Sequence, residues 1–279
     1  MSILKNISTF MFYHAPRTGC SAMKVSKFKA PYIAKEELIE GFKLLTVSKE
    51  DSGKGHFYFM HGGAYTLEPV GFHRKILLNL VDLGYKVTYI DYPLWPEYTA
   101  DKTNEITLAG FKKIAADYPE DEFYFIGDSA GGGLAVSILM QLRDEGFSKL
   151  PSKTLLLSPW LDVTESNEKI SEYDKLDKTL SAKALKDIGT KFAGPLGSAH
   201  PFVSPIYGNL ENLGSFFVFY SDSELMFPDV QKFIGLIEKA NGSSIQSYVE
   251  KNAPHDYLMS STKEKNAEYY SLIQEFITK

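Results

Sequence analysis

Cysteine is almost missing from this chain: Cys20 stands alone among 279 residues. One cysteine excludes an intramolecular disulfide and any multi-cysteine metal site, and it fits a reducing compartment. Long apolar runs are lacking too. No stretch approaches the roughly 18 apolar residues that a membrane-spanning helix needs. The N-terminal segment is mildly apolar, but Lys5, Asn6, Ser8 and Thr9 interrupt it and no clean small-residue cleavage site follows. A secretory leader is therefore not expected, and a cytoplasmic location is. A basic stripe is also missing from this reading: lysines are scattered among Glu and Asp, and the net charge is −5. A nucleic-acid partner would need clustered cations to neutralise phosphates, so none is expected. Internal repeats, low-complexity tracts and a linker that would divide the chain are all absent.

What is present is a large apolar share, 44%, with 14% aromatic residues, ample for a sizeable core. Six short runs rich in β-branched and aromatic residues read as strands: 56–60, 85–90, 123–126, 154–157, 216–220 and 244–249. Most are continuous rather than alternating, as in parallel strands covered on both faces. Helix-period stretches lie between them, at about 72–83, 103–117, 130–145, 229–240 and 263–278. The alternation predicts an α/β fold with a doubly wound, mostly parallel sheet. The run 42–47 is expected to add an antiparallel edge strand. Residues 1 to about 40 show no strand–helix rhythm. The stretch from about 161 to 205 is far longer than an ordinary connection, as lids and binding elements are.

The chemistry centres on Gly127-Asp128-Ser129-Ala130-Gly131, which joins a predicted strand to a predicted helix. This is G-x-S-x-G in the strand–turn–helix setting that lifts a serine hydroxyl out of a sheet. The turn leaves the Ala130 N–H at a helix N-terminus, facing any oxyanion formed at Ser129. His61-Gly62-Gly63-Ala64-Tyr65 follows another strand, and Gly63 and Ala64 are the expected donors of an oxyanion hole there. A plain Gly-Gly turn is the competing reading of that loop. His61 itself is expected to brace the loop rather than to react.

A nucleophilic serine needs a base, and the base an orienting carboxylate. His255 follows the last predicted strand, at the carboxyl end of the sheet where such folds bind ligands. His14, His56, His73 and His200 lack that placement and read as surface or packing residues. The acid should fall between Ser129 and His255, and the loop after strand 216–220 offers Asp222 and Glu224. Spacing leaves these two level. Phe10, Phe12, Tyr13, Trp95 and Phe192 are candidates for lining an acyl pocket, each equally compatible with core packing.

At these residues the chain resembles the hormone-sensitive-lipase-like branch of α/β-hydrolase esterases. The blocks run in the family's order: His61-Gly-Gly-Ala-Tyr65, Asp91-Tyr-Pro-Leu-Trp-Pro-Glu97, Gly127-Asp-Ser-Ala-Gly-Gly132, Ser158-Pro-Trp-Leu-Asp162, His200-Pro-Phe-Val-Ser-Pro205 and Pro254-His-Asp-Tyr257. They span roughly 56–258. The resemblance implies a single eight-stranded α/β-hydrolase domain over 1–279, with a helical cap from about 1–40 and 161–205. It also implies hydrolysis of short- to medium-chain small-molecule esters without a cofactor or metal. Ser221-Asp-Ser-Glu-Leu225 is similar to the variant that uses Glu, which favours Glu224 over Asp222. Two departures stand out: Ala64 replaces the family's last loop glycine, and Pro93 its arginine. Asp91, Asp128 and Asp162 read as structural. With neutral His255 as base, activity should climb through roughly pH 6–7. A peptidase or a small-molecule binder on the same fold are the other readings. An interfacial lipase is a third, disfavoured by the polarity of 161–205. The sequence leaves homodimerisation open.

Overall fold

The computed structural model describes residues 2–53 and 55–279. In chain order the elements are α1 (Ile3–His14), β1 (Ile33–Ile39), β2 (Phe42–Ser48), β3 (His56–Met60), α2 (Gly71–Asp82), β4 (Lys86–Ile90), α3 (Ala100–Asp117), β5 (Phe123–Asp128) and α4 (Ala130–Asp144). There follow β6 (Lys153–Leu157), α5 (Ile170–Leu176), α6 (Ala182–Ala193), β7 (Gly214–Ser221), α7 (Phe227–Ile237), β8 (Ser243–Glu250), α8 (Tyr257–Ser260) and α9 (Lys263–Thr278).

The eight strands form one sheet in the order β1-β2-β4-β3-β5-β6-β7-β8. The β1–β2 and β2–β4 pairings are antiparallel, and every other pairing is parallel. Side chains alternate across a strand, so each parallel strand must supply two cores. Tyr58, Met60, Phe125 and Leu156 face one cluster, shared with Phe111 of α3, Leu134 of α4 and Phe233 of α7. Phe57, Phe59, Tyr124 and Leu155 face the other, closed by Leu77 and Leu80 of α2 and by Tyr269 and Ile273 of α9. That double coverage is why the runs read as continuous in sequence.

The six expected strands and the main helices appear within a few residues of their expected positions. Two expectations change. The run 42–47 forms β2, but it lies inside the sheet, because residues 33–39 pair outside it. The N-terminal segment therefore contains a strand, β1, that its sequence hides. Lys35, Glu36 and Glu37 interrupt its apolar residues, a charge pattern suited to an unpaired edge. The insertion between β6 and β7 holds α5 and α6, and α1 lies against it: Lys5 Nζ donates to Asp174 Oδ1 at 2.9 Å.

Candidate active site

The carboxyl ends of β3, β5, β6 and β7 converge on Ser129. Its backbone sits at φ 49°, ψ −119°, the strained turn between β5 and α4. Small neighbours make that turn feasible. A Cβ at Gly127 would meet the Gly131 carbonyl oxygen at 2.2 Å, and one at Gly131 would meet the Met60 carbonyl oxygen at 2.0 Å. The turn is pinned from both sides, since Ser129 N–H donates to Leu157 O (2.8 Å) and Trp160 N–H donates to Ser129 O (2.8 Å).

His255 and Glu224 reach the same point from 126 and 95 residues away in the chain. His255 Nε2 lies 3.0 Å from Ser129 Oγ, and its Nδ1 lies 2.7 Å from Glu224 Oε2. Glu224 is fully buried, and its second oxygen accepts the Ser221 N–H at 2.9 Å. Asp222 points elsewhere, accepting the Asn252 N–H at 2.7 Å. Of the two carboxylates the sequence offered, Glu224 is the one against the imidazole.

The His61–Tyr65 loop closes on the serine turn. A Cβ at Gly62 would fall 2.2 Å from Asp128 Oδ2 and 3.0 Å from Ser129 Cβ. Gly63, Ala64 and Tyr65 all have positive φ, at 112°, 52° and 59°. Ala64 thus occupies a conformation that favours glycine, the residue the resembled family carries there. Among the described residues, no acceptor pairs with the N–H groups of Gly63, Ala64 or Ala130. His61 braces the loop as expected, with Nδ1 2.6 Å from Gly62 O and its ring stacked on Tyr92 at 4.4 Å. Burial, helped by nearby His73, holds its pKa down at about 3, so it stays neutral.

The remaining histidines pack or brace. His73 Nδ1 accepts the Val70 N–H, which leaves Nε2 to donate to Asp128 Oδ2 at 3.1 Å. Asp128 is structural in that sense, tying α2 to the serine turn. His56 lies between Asp121 (3.0 Å) and Thr88 (2.7 Å). His200 accepts the Phe202 N–H, and His14 is exposed. Beside the turn, Tyr65 stacks on Phe192 at 3.9 Å and approaches Trp160 at 5.9 Å. Phe12 joins the same core cluster, with Tyr13 and Trp95 against it. Phe10 does not: it is 61% exposed.

One residue of this cluster was missed. Asp256 follows His255 in a left-handed conformation, φ 54°, and its Oδ2 sits 3.2 Å from His255 Nε2. Burial works against a charged imidazole, but the Asp256 and Glu224 carboxylates outweigh it and push the His255 pKa up. Burial in turn raises Asp256 well above the usual carboxylate range. The pair thus keeps a proton beyond the pH 6–7 window expected of an ordinary histidine. The only sequence signal was the adjacency His-Asp, which says nothing about where the carboxylate turns. Among the described residues, no group of three or more His, Cys, Asp or Glu is arranged to hold a metal ion.

An esterase of Acinetobacter venetianus is 28% identical over 188 residues, covering 66% of this chain and 61% of that protein. An acetyl-hydrolase of Streptomyces hygroscopicus is 27% identical over 175 residues, covering 62% and 58%. The chain thus spans about three fifths of the length of these two relatives. Among solved structures, an esterase of the bacterial hormone-sensitive lipase family superposes with TM-score 0.81 at 22% identity, covering 99% of this chain and 98% of that one. The hormone-sensitive-lipase homologue EstE7 from a metagenome library gives 0.81 at 20% identity, covering 98% and 96%. The profile of the α/β-hydrolase fold matches residues 57–259, nearly the span of the motif blocks, and the chain belongs to that family.

Proposed function

We propose that the protein is a carboxylic-ester hydrolase acting through Ser129, His255 and Glu224, on short- to medium-chain esters of small molecules. The observation that carries the reading is the relay Ser129 Oγ–3.0 Å–His255–2.7 Å–Glu224, set on a serine with strained backbone. The names of the similar esterase and acetyl-hydrolase support the reaction class.

In this reaction His255 Nε2 takes the hydroxyl proton as Ser129 Oγ attacks the ester carbonyl carbon. Glu224 holds the proton on Nδ1 and stabilises the imidazolium. The carbonyl oxygen, now an oxyanion, receives the N–H groups of Gly63, Ala64 and Ala130, the last at the positive end of α4. The C–O bond to the alcohol breaks, and His255 returns its proton to the leaving oxygen. Water then attacks the acyl-serine with the same base, releasing the acid and restoring Ser129. Helix α1 and the insertion 161–205, whose Phe192 stacks on Tyr65 beside Trp160, form the cap over the acyl site in this reading, while residues 33–39 belong to the sheet.

The test is turnover of p-nitrophenyl acetate and butyrate. Ser129→Ala should reduce it to background, and His255→Ala or Glu224→Ala should reduce kcat by roughly 10⁴-fold. An organophosphate should attach to Ser129 and to no other serine. Undiminished hydrolysis by Ser129→Ala would defeat the assignment. A p-nitrophenyl ester series of increasing acyl length then sets the size limit.

A further inference from the structure

Helices α2 and α9 leave between them a cavity of about 400 Å³, within the size range of small-molecule sites. Lys75, Asn79 and Asp82 line it from α2, and Lys263, Asn266 and Tyr270 from the first turns of α9. Spacings of three and four residues put each trio on one helix face. None of Ser129, Glu224 and His255 lines it.

Its floor is made of buried polar side chains. Asn266 and Tyr270 are each only 8% exposed. The Ser261 hydroxyl donates to Leu258 O at 3.1 Å, so its oxygen can accept the Asn266 amide nitrogen at 2.7 Å. That leaves the Asn266 amide oxygen to accept Lys75 Nζ at 2.9 Å. Lys75 is thus held in place by a neutral group, and its charge stays unbalanced. Burial pushes the Tyr270 hydroxyl above the usual phenol range, while Asn79 hydrogen-bonds it. The phenol therefore stays protonated and able to donate.

The carboxylates around the cavity are engaged elsewhere. Asp82 pairs with Lys49 at 2.5 Å and accepts the Tyr32 hydroxyl at 3.0 Å. Glu264 turns back to Thr262 and its own backbone N–H. Glu268 accepts the Tyr248 hydroxyl at 3.2 Å and lies 3.6 Å from Lys265. Lys75 and Lys263, by contrast, join no ion pair among the described residues. The cavity therefore offers two cations and a phenol O–H against one carboxylate that is already neutralised.

We propose that this cavity binds a phosphate monoester with a small apolar body, the phosphate meeting Lys75 and Lys263 and the body lying on Leu83 and the Tyr270 ring. Two unbalanced cations match a group that carries close to two negative charges near neutral pH better than they match a carboxylate. Donors without acceptors match three terminal phosphate oxygens. The positive end of α9, a helix of 16 residues, favours the same charge. Occupancy is read by binding rather than turnover, so the proposal stands or falls apart from the hydrolytic reading.

Calorimetric titration with phenyl phosphate at fixed ionic strength decides it. Phenyl phosphate should bind more tightly than inorganic phosphate, which lacks the apolar body, and than benzoate, which lacks the second charge. Lys75→Ala and Lys263→Ala should each weaken it roughly tenfold, with the melting temperature of the free protein unchanged. Ser129→Ala should bind it as the wild type does. No heat of binding overturns the proposal, as does wild-type affinity in Lys75→Ala/Lys263→Ala. Affinity lost only in Ser129→Ala would put phenyl phosphate at the serine turn and overturns it too. Inorganic phosphate binding as tightly as phenyl phosphate would mean an adventitious ion only, and benzoate doing so would mean a carboxylate site; either result overturns the assignment.

Discussion

His255 has two carboxylates within reach and one task for each ring nitrogen. Glu224 meets Nδ1, while Asp256 approaches the Nε2 that also faces Ser129 Oγ. A proton on Nε2 therefore has two acceptors, and in the protonated state Asp256 draws it away from the serine. The sign follows from the raised imidazole pKa: the base stays charged until higher pH, so kcat/KM should rise on the alkaline side of 6.5 rather than through pH 6–7. Asp256→Asn removes the carboxylate that shares the proton with the imidazole, so the rising limb should move to lower pH. A pH profile with the same midpoint in both proteins would show that Asp256 does not set the base. Ser129→Ala and Asp256→Asn thus separate two effects, loss of the proposed nucleophile and a shift of its proposed base. Of this cluster, Ser129 and His255 were legible in the sequence, because a strand–turn–helix and a loop after the last strand locate them. Asp256 was not, because a neighbouring residue's side chain faces the site only through a left-handed turn that sequence does not declare.

Elements meet at the site through glycines, and these differ sharply in what they tolerate. Gly131, in the first turn of α4, touches the end of β3: an added Cβ would sit 2.0 Å from Met60 O and 2.6 Å from His61 O. Gly131→Ala must push α4 from β3 and so part the Ala130 N–H from the Gly63–Ala64 loop. It should lower stability by about 1–3 kcal/mol and also depress kcat. Gly235 lies within α7 with nothing near its missing Cβ. Gly235→Ala should raise stability by about 0.5–1 kcal/mol and leave kcat alone. Thermal melts with kinetics check both, and equal effects at the two positions would refute the argument. The parallel strands were readable because their runs are apolar on both faces. β1 was not, since edge position makes Lys35, Glu36 and Glu37 advantageous and so disguises the strand. Helix α1 was not read from residues 1–40 either, and its attachment depends on Lys5 finding Asp174, a partner 169 positions away.

Across the whole molecule, one polar chain joins helix α1 to the loop that carries Glu224. Besides the Lys5–Asp174 pair, Ser2, Ser8 and Tyr13 on α1 bond to Lys178 O, Thr179 O and Asp187 of the insertion. Asp174 also accepts the Ala182 N–H at 2.9 Å, holding the start of α6. Next comes Asp177, whose Oδ1 accepts the N–H groups of Thr179 (2.6 Å) and Leu180 (2.9 Å) and whose Oδ2 accepts that of Leu225 (2.8 Å), beside Glu224. The two aspartates should therefore fail differently. Asp174 is 39% exposed, so its ion pair is weakened by solvent and Asp174→Ala should loosen α1 alone. Amide exchange in α1 should quicken on the order of tenfold, with turnover retained. Asp177 is buried, and Asp177→Ala strands three backbone donors at once. That change should cost about 1–3 kcal/mol for the donors left buried and lower kcat by letting the Glu224 loop shift. Hydrogen exchange on both variants, read with kcat, distinguishes the two. If Asp174→Ala lowered kcat as far as Asp177→Ala does, α1 would belong to the scaffold that holds Glu224 rather than to a separable outer layer.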